Sequence, residues 1–88
     1  MHTAPRFRLS DYARIRLAQS RLPMSALESL LLHGRSEPQR DGGQLVILDR
    51  ASLGLVEQPE LRGQLRRYLG TYAVLGRDGA INIVGRLN

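Results

Sequence analysis

Cysteine, lysine and tryptophan are absent from this chain of 88 residues. Without cysteine there is no disulfide scaffold, no thiol nucleophile and no thiolate-ligated zinc. His2 and His33 are the only histidines, too few for an all-histidine metal centre, and neither is placed to activate a serine identifiably. Phe7, Tyr12, Tyr68 and Tyr72 are the only aromatics, so the stacking platform of a single-strand binder is not visible. The longest apolar runs, Leu30-Leu31-Leu32 and Leu45-Val46-Ile47-Leu48, fall far short of the ~20 residues of a membrane span. Arg6 and Arg8 are not followed by the apolar block of a secretion signal. A reduced, cytoplasmic setting without a membrane partner is therefore expected. No phosphate loop, dinucleotide fingerprint or metalloprotease motif occurs, and Gly76-Arg77-Asp78-Gly79 reads as a turn with no helix behind it to hold a phosphate. Glu57 and Glu60 fit a surface helix start without acid–base chemistry. No cofactor and no metal are implied.

What is present is a single small domain's worth of chain, with 42% hydrophobic residues, which argues against disorder along its whole length. All 13 basic residues are arginine. Arginine's planar fork of donors suits phosphate and carboxylate and stacks on bases, although coding by a GC-rich genome also favours it. The charge is segregated: residues 1–22 carry a net +4, residues 23–60 a net −3 and residues 61–88 a net +4. If the two basic ends meet in space, they form one surface that attracts a polyanion.

Residues 1–8 lack periodicity and read as a tail or a short edge strand, and residues 9–88 as one domain. Ser10 or Asp11 is placed to cap a helix running to about Leu22, with Tyr12, Ile15, Ala18 and Leu22 as its buried stripe. Pro23 suits the first turn of a second helix, and Ser25 and Glu28 have capping-box spacing. Its buried face is Met24, Leu27, Leu30 and Leu31, and Gly34 is a left-handed stop. His33 fits a cation at the negative end of that helix. Residues 35–43 read as turn, residues 44–49 as a central strand, and residues 50–58 as a loop or helical turn broken by Gly54. A third helix opens at Pro59 and ends near Leu69. Leu61, Leu65, Tyr68 and Leu69 form its stripe, with Arg62 and Arg66 four apart beside it, a spacing at which like charges repel. Residues 71–76 and 80–87 form a hairpin around Asp78-Gly79, read as a two-residue loop. On that register Tyr72, Val74, Ile81 and Ile83 face the core, and Thr71, Ala73, Leu75, Asn82, Val84 and Arg86 the other side. The predicted fold is α+β: two helices, a strand, a third helix and a C-terminal hairpin in a small antiparallel sheet. Its last strand is an exposed edge that invites pairing into a homodimer or onto a partner.

The helix from Tyr12 to Pro23, the run Leu30-Leu-Leu-His-Gly34 and the hairpin from Tyr72 to Arg86 resemble a bacterial family of small proteins. Those proteins are similar in organisation to RelE and BrnT toxins, compact α+β domains that act on RNA. The resemblance matches Arg16 to the family's first-helix arginine, Gly34 to its second-helix stop and Gly85 to its hairpin ending. Tyr12 stands where the family has a helix histidine, and Arg86 where it has a hairpin histidine. What the resemblance implies is an RNA-directed module, a ribonuclease or an inactive relative, with RNA or the ribosome as target and an antitoxin as partner. Arg14, Arg16, Arg66, Arg67 and Arg86 would bind RNA. If it is catalytic, Arg16 and Arg86 would hold the scissile phosphate, and Tyr12 or Tyr68 would carry the proton. Arginine stabilises the phosphate anion but stays protonated and is a poor base. The alternative is a non-enzymatic protein-binding module, an immunity, adaptor or phage-encoded inhibitor protein. It rests on the missing proton-transfer set and the acidic middle segment. Duplex DNA binding is weaker, because no helix presents a clear recognition surface.

Overall fold

The structure, a computed structural model, describes residues 8–87. Within them α1 (Asp11–Ser20) and α2 (Met24–His33) precede a hairpin of β1 (Arg35–Pro38) and β2 (Gln44–Ile47). Then come α3 (Arg50–Gly54), α4 (Pro59–Arg66) and a second hairpin of β3 (Thr71–Leu75) and β4 (Ile81–Arg86). The strands form one antiparallel sheet in the order β1-β2-β3-β4. The α+β class is as the sequence predicts, with β1 and α3 added. Arg35–Pro38 carries no apolar alternation and is a strand through its pairing with β2, so tertiary context overrides its turn-like composition.

All four helices cover one face of the sheet, since Leu17, Leu27, Leu30, Leu53 and Leu65 share a single core with Val46, Ala73, Ile81 and Val84. The row Ser36, Val46, Ala73, Val84 runs across the sheet through that core face. The outward rows are Arg35, Ile47, Tyr72, Gly85 and Glu37, Leu45, Val74, Ile83. This reverses the predicted sidedness: Tyr72, Val74 and Ile83 lie on the outer face, and Thr71, Ala73 and Val84 on the inner one. The phase of β3 is set by the pairing of Ala73 with the buried Val46, and a register shift at Val74/Leu75, which sets Leu75 against Ile81, puts Ile81 and Ile83 on opposite faces. A bulge breaks strict alternation, so Ile81 and Val84, three apart, both point inward. The hairpin loop is also longer than two residues. The Gly79 N–H donates to the Gly76 carbonyl and the Gly76 N–H to that of Ala80, with Gly79 at φ +84, a type I turn closed by a left-handed residue.

Helix α1 differs from its predicted phase. Ser10 does cap it, accepting from the Ala13 N–H at 3.1 Å, but Ala13 and Leu17 are the buried pair, while Tyr12 and Ile15 are 58% and 56% exposed. Ala18 is exposed too, and the helix stops at Arg21, in the left-handed conformation, before Leu22. In α2, Leu27 and Leu30 are buried as expected and Ala26 joins them, whereas Met24 is exposed. Pro23 is the residue before the helix rather than its first turn, and His33 ends it half-buried. Gly34 is extended, at φ −69, not left-handed. Glycine is needed there because a Cβ would sit 2.6 Å from the Leu30 carbonyl oxygen and 2.8 Å from a Val46 methyl. Helix α4 ends at Arg66, short of the predicted Leu69; its Leu65 is buried, its Leu61 packs against the core, and Tyr68 and Leu69 do so from the turn that follows.

Most of the predicted N-terminal tail lies outside the described residues. Leu9 forms a parallel bridge to Ile81, with Arg8 accepting from and Ser10 donating to Ile81. The Ser10 hydroxyl donates to the Asn82 carbonyl at 3.2 Å. The edge of β4 is therefore covered at its start, not open along its length as predicted. Among the described residues no helix is long and apolar enough to cross a membrane.

Candidate nucleic-acid interface

The described parts of the two basic ends, residues 8–22 and 61–87, touch each other through α1 and β4. Helix α1 packs along β4, and Arg8 reaches Asp78 at 3.4 Å. Arg14 and Arg16 project from α1 into solvent. Tyr12 and Arg16, one turn apart, are surface neighbours. Arg86, at the end of β4, donates to the backbone carbonyl of Arg67, the residue capping the C-terminus of α4, where a cation meets the negative end of the helix. The structure thus brings Tyr12 to Arg16, and Arg86 to Arg67. Among the described residues no hydrogen bond or ion pair joins the first pair to Arg86. Tyr68 and Arg67 line a separate cleft of about 350 Å³ with Ser25, Ser29 and Gln64.

Arg66 belongs to a more concentrated site. Arg50, at the first turn of α3, and Arg62 and Arg66, on α4, line one cleft of about 370 Å³ with Leu53, Gly54 and Leu69. Arg62 is oriented by donating to the Val56 carbonyl at 3.1 Å. Among the described residues none of the three forms an ion pair, and Arg50 and Arg66 donate no side-chain hydrogen bond. Beside Gly54 there is open space, since a Cβ there would meet nothing within 4 Å. A further concavity, about 570 Å³ along the start of α4, has Glu60 in its wall and no cation, so it does not suit a polyanion. Among the described residues no three His, Asp or Glu side chains gather as metal ligands.

The cleft's position depends on Asp49. This residue caps α3: one carboxylate oxygen accepts from the Ser52 N–H at 2.8 Å, and the Asp49 N–H donates to the Ser52 hydroxyl at 3.0 Å. The other oxygen accepts from Arg35 at 2.8 Å. The Ser52 backbone bond first, and the Arg35 guanidinium second, hold the Asp49 carboxyl at about 2, below its usual 3.8. Asp78 is also lowered, chiefly by the Ala80 N–H and then by the charge of Arg8. Arg8 and Arg35 are therefore engaged, Arg35 also with Glu37 at 2.6 Å, and they add little to a free cationic surface.

Arg50 and Arg62 were not among the residues the sequence marks for RNA. Arg62 was visible four residues from Arg66. Arg50 needed the capping of α3, whose trace in the sequence is the spacing of Asp49 and Ser52. Comparison with protein-family models, curated proteins and solved structures returns no match for this chain.

Proposed function

We propose that this protein is a small RNA-binding module that holds phosphates with arginines on the helical side of its sheet. The observation that carries the reading is the cleft lined by Arg50, Arg62 and Arg66 without an acidic partner among the described residues. Cations gathered in a concavity with apolar walls focus the potential and attract a polyanion. Arg62 and Arg66, four apart, repel each other, and a bound phosphate relieves that repulsion. Arg14 and Arg16 on α1, and Arg67 after α4, are further exposed cations. The resemblance to RelE- and BrnT-type toxins extends the same reading to cleavage, through Tyr12 as proton carrier and Arg16 with Arg86 on the phosphate. Arg86 is turned to the Arg67 carbonyl, which favours binding without cleavage.

The test is binding of a labelled single-stranded RNA across a salt series, with the product run on a denaturing gel. Three phosphate contacts give a slope of about −2 in log K against log salt, at roughly 0.7 per contact. Replacing Arg50 and Arg66 together by glutamine is expected to flatten that slope by about 1.4. No binding at low salt, or an unchanged slope in the double variant, overturns the reading.

A second reading, a non-enzymatic protein-binding module, is favoured by the outer face of the sheet. Leu45, Ile47, Tyr72, Val74 and Ile83 lie together there with no helix over them, an apolar patch of the kind that marks interaction sites. Failure of RNA to bind, together with harmless expression in a bacterial host, supports this second reading.

A further inference from the structure

We infer that the cleft formed by Arg50, Arg62 and Arg66 recognises a terminal phosphomonoester, the phosphorylated end of a strand, rather than an internal phosphodiester. The inference rests on the RNA-binding reading above and names what that site selects. Charge comes first. Three guanidinium groups without an acidic partner among the described residues line the cleft. A phosphodiester brings one negative charge and two free oxygens. A terminal phosphate brings about −1.5 to −2 at neutral pH and three acceptor oxygens. Arginine forks bond such oxygens in charge-assisted pairs, so the monoester satisfies more of the donors present.

Size and lining point the same way. A volume of about 370 Å³ lies at the small end of ligand pockets, which begin near 300 Å³. A strand's end enters such a recess more readily than its middle, which must both enter and leave it. Leu53 and Leu69 supply an apolar wall beside the cations. A bare inorganic anion has no use for such a wall, whereas the ribose or base attached to a terminal phosphate can lie on it. Gly54 leaves space open at the cleft, and Arg62 is held in place by the Val56 carbonyl. One of the three forks is thus oriented before any ligand arrives.

The experiment uses the full chain and four short RNAs of one sequence, bearing a 5′-phosphate, a 3′-phosphate, both, or hydroxyls at both ends. Affinities are measured at one fixed salt concentration. At least one phosphorylated end is expected to bind about tenfold more tightly than the all-hydroxyl strand, the factor that one additional charge-assisted bond supplies. Comparing the 5′ and 3′ strands identifies which end. Arg50→Gln with Arg66→Gln should abolish the preference. Gly54→Leu should also abolish it, by filling the cleft while keeping every charge. Circular dichroism is expected to be unchanged in both. Equal affinity for all four strands, with salt-dependent RNA binding intact, overturns this inference and leaves the RNA-binding reading standing. A preference that survives both variants places end recognition elsewhere and overturns it as well. Absence of RNA binding altogether overturns both.

Discussion

Removing the Asp49 carboxylate tests whether α3, and with it the Arg50 wall of the cleft, is held by its cap. In Asp49→Ala the Ser52 N–H loses its acceptor, and Ser52 is buried at 3% exposure. The shift of Asp49 from 3.8 to about 2 corresponds to a ceiling of roughly 2 kcal/mol, at 1.36 kcal/mol per unit. The side chain is 27% exposed, and solvent screening brings the ion-pair share down, leaving about 1 kcal/mol. Replacing an aspartate N-cap by alanine independently costs about 1 kcal/mol. The two routes agree. With a urea dependence of about 1 kcal/mol per molar for a domain of this size, the midpoint of unfolding should fall by about 1 M at pH 7. A carboxyl lowered in the folded state stabilises above its unfolded pKa and loses that contribution as pH falls through the folded value. The gap between wild type and Asp49→Ala should therefore be full at neutral pH, shrink below about 4 and close near 2. Asp78 is lowered in both proteins and cancels from the difference. Asp49→Asn keeps an acceptor but not the charge, so at pH 7 it should lose most of the same contribution, as protonation does to the wild type at low pH. A gap below about 0.3 kcal/mol at pH 7, or one that persists undiminished near pH 2, would refute the cap argument.

Two further outcomes follow from single groups. The Thr71 hydroxyl is buried without a hydrogen-bond partner among the described residues. Thr71→Val should therefore stabilise the protein by about 1 kcal/mol, seen as a higher midpoint in urea, and a loss of stability would show that the hydroxyl is paired. A Cβ on Gly43 would stand 2.2 Å from the Leu75 carbonyl oxygen, backbone that cannot swing aside. Gly43→Ala should then cost about 2–3 kcal/mol and lower Tm by roughly 10–20 °C, and a melt within about 2 °C of wild type would contradict the packing.

Local signals explain what was legible. The Ser10 cap, the Pro59 opening of α4 and the inward Leu61 and Leu65 of that helix are interactions within a few residues, and each is where its spacing places it. The phase of α1 was not readable because apolar residues occupy nearly every side of that helix. Tyr12, Ile15 and Ala18 offer one stripe, and Ala13 with Leu17 another. The structure buries the second pair, whose small Ala13 faces the core of a helix packed along β4. The split of Ile81 and Ile83 onto opposite faces depended on one register shift at Val74/Leu75, and no alternation rule contains such a shift. The bulkier set, Tyr72, Val74 and Ile83, looked like the core. Val46 decides otherwise, because its partner across the ladder is Ala73, and that row points at the helices. The cleft was half legible: Arg62 and Arg66 share a helix, while Arg50 joins them only through contact between α3 and α4.

The reversed sheet has a functional consequence. The arginine cleft is built on α3 and α4, on the helical side, and the apolar patch of Leu45, Ile47, Tyr72, Val74 and Ile83 is on the opposite face. A partner on one side does not compete for space with a ligand on the other. Arg35 bears on both, since its residue begins an outward row while its guanidinium bonds Asp49, the cap of α3. The strength of that link follows from what holds the Asp49 charge. The Ser52 N–H contributes more than Arg35 does, and it remains if Arg35 is drawn away. Helix α3 then keeps its cap, and Arg50 keeps its place. Drawing Arg35 away from the sheet side thus removes the smaller of the two interactions at Asp49 and leaves the cap of α3 in place.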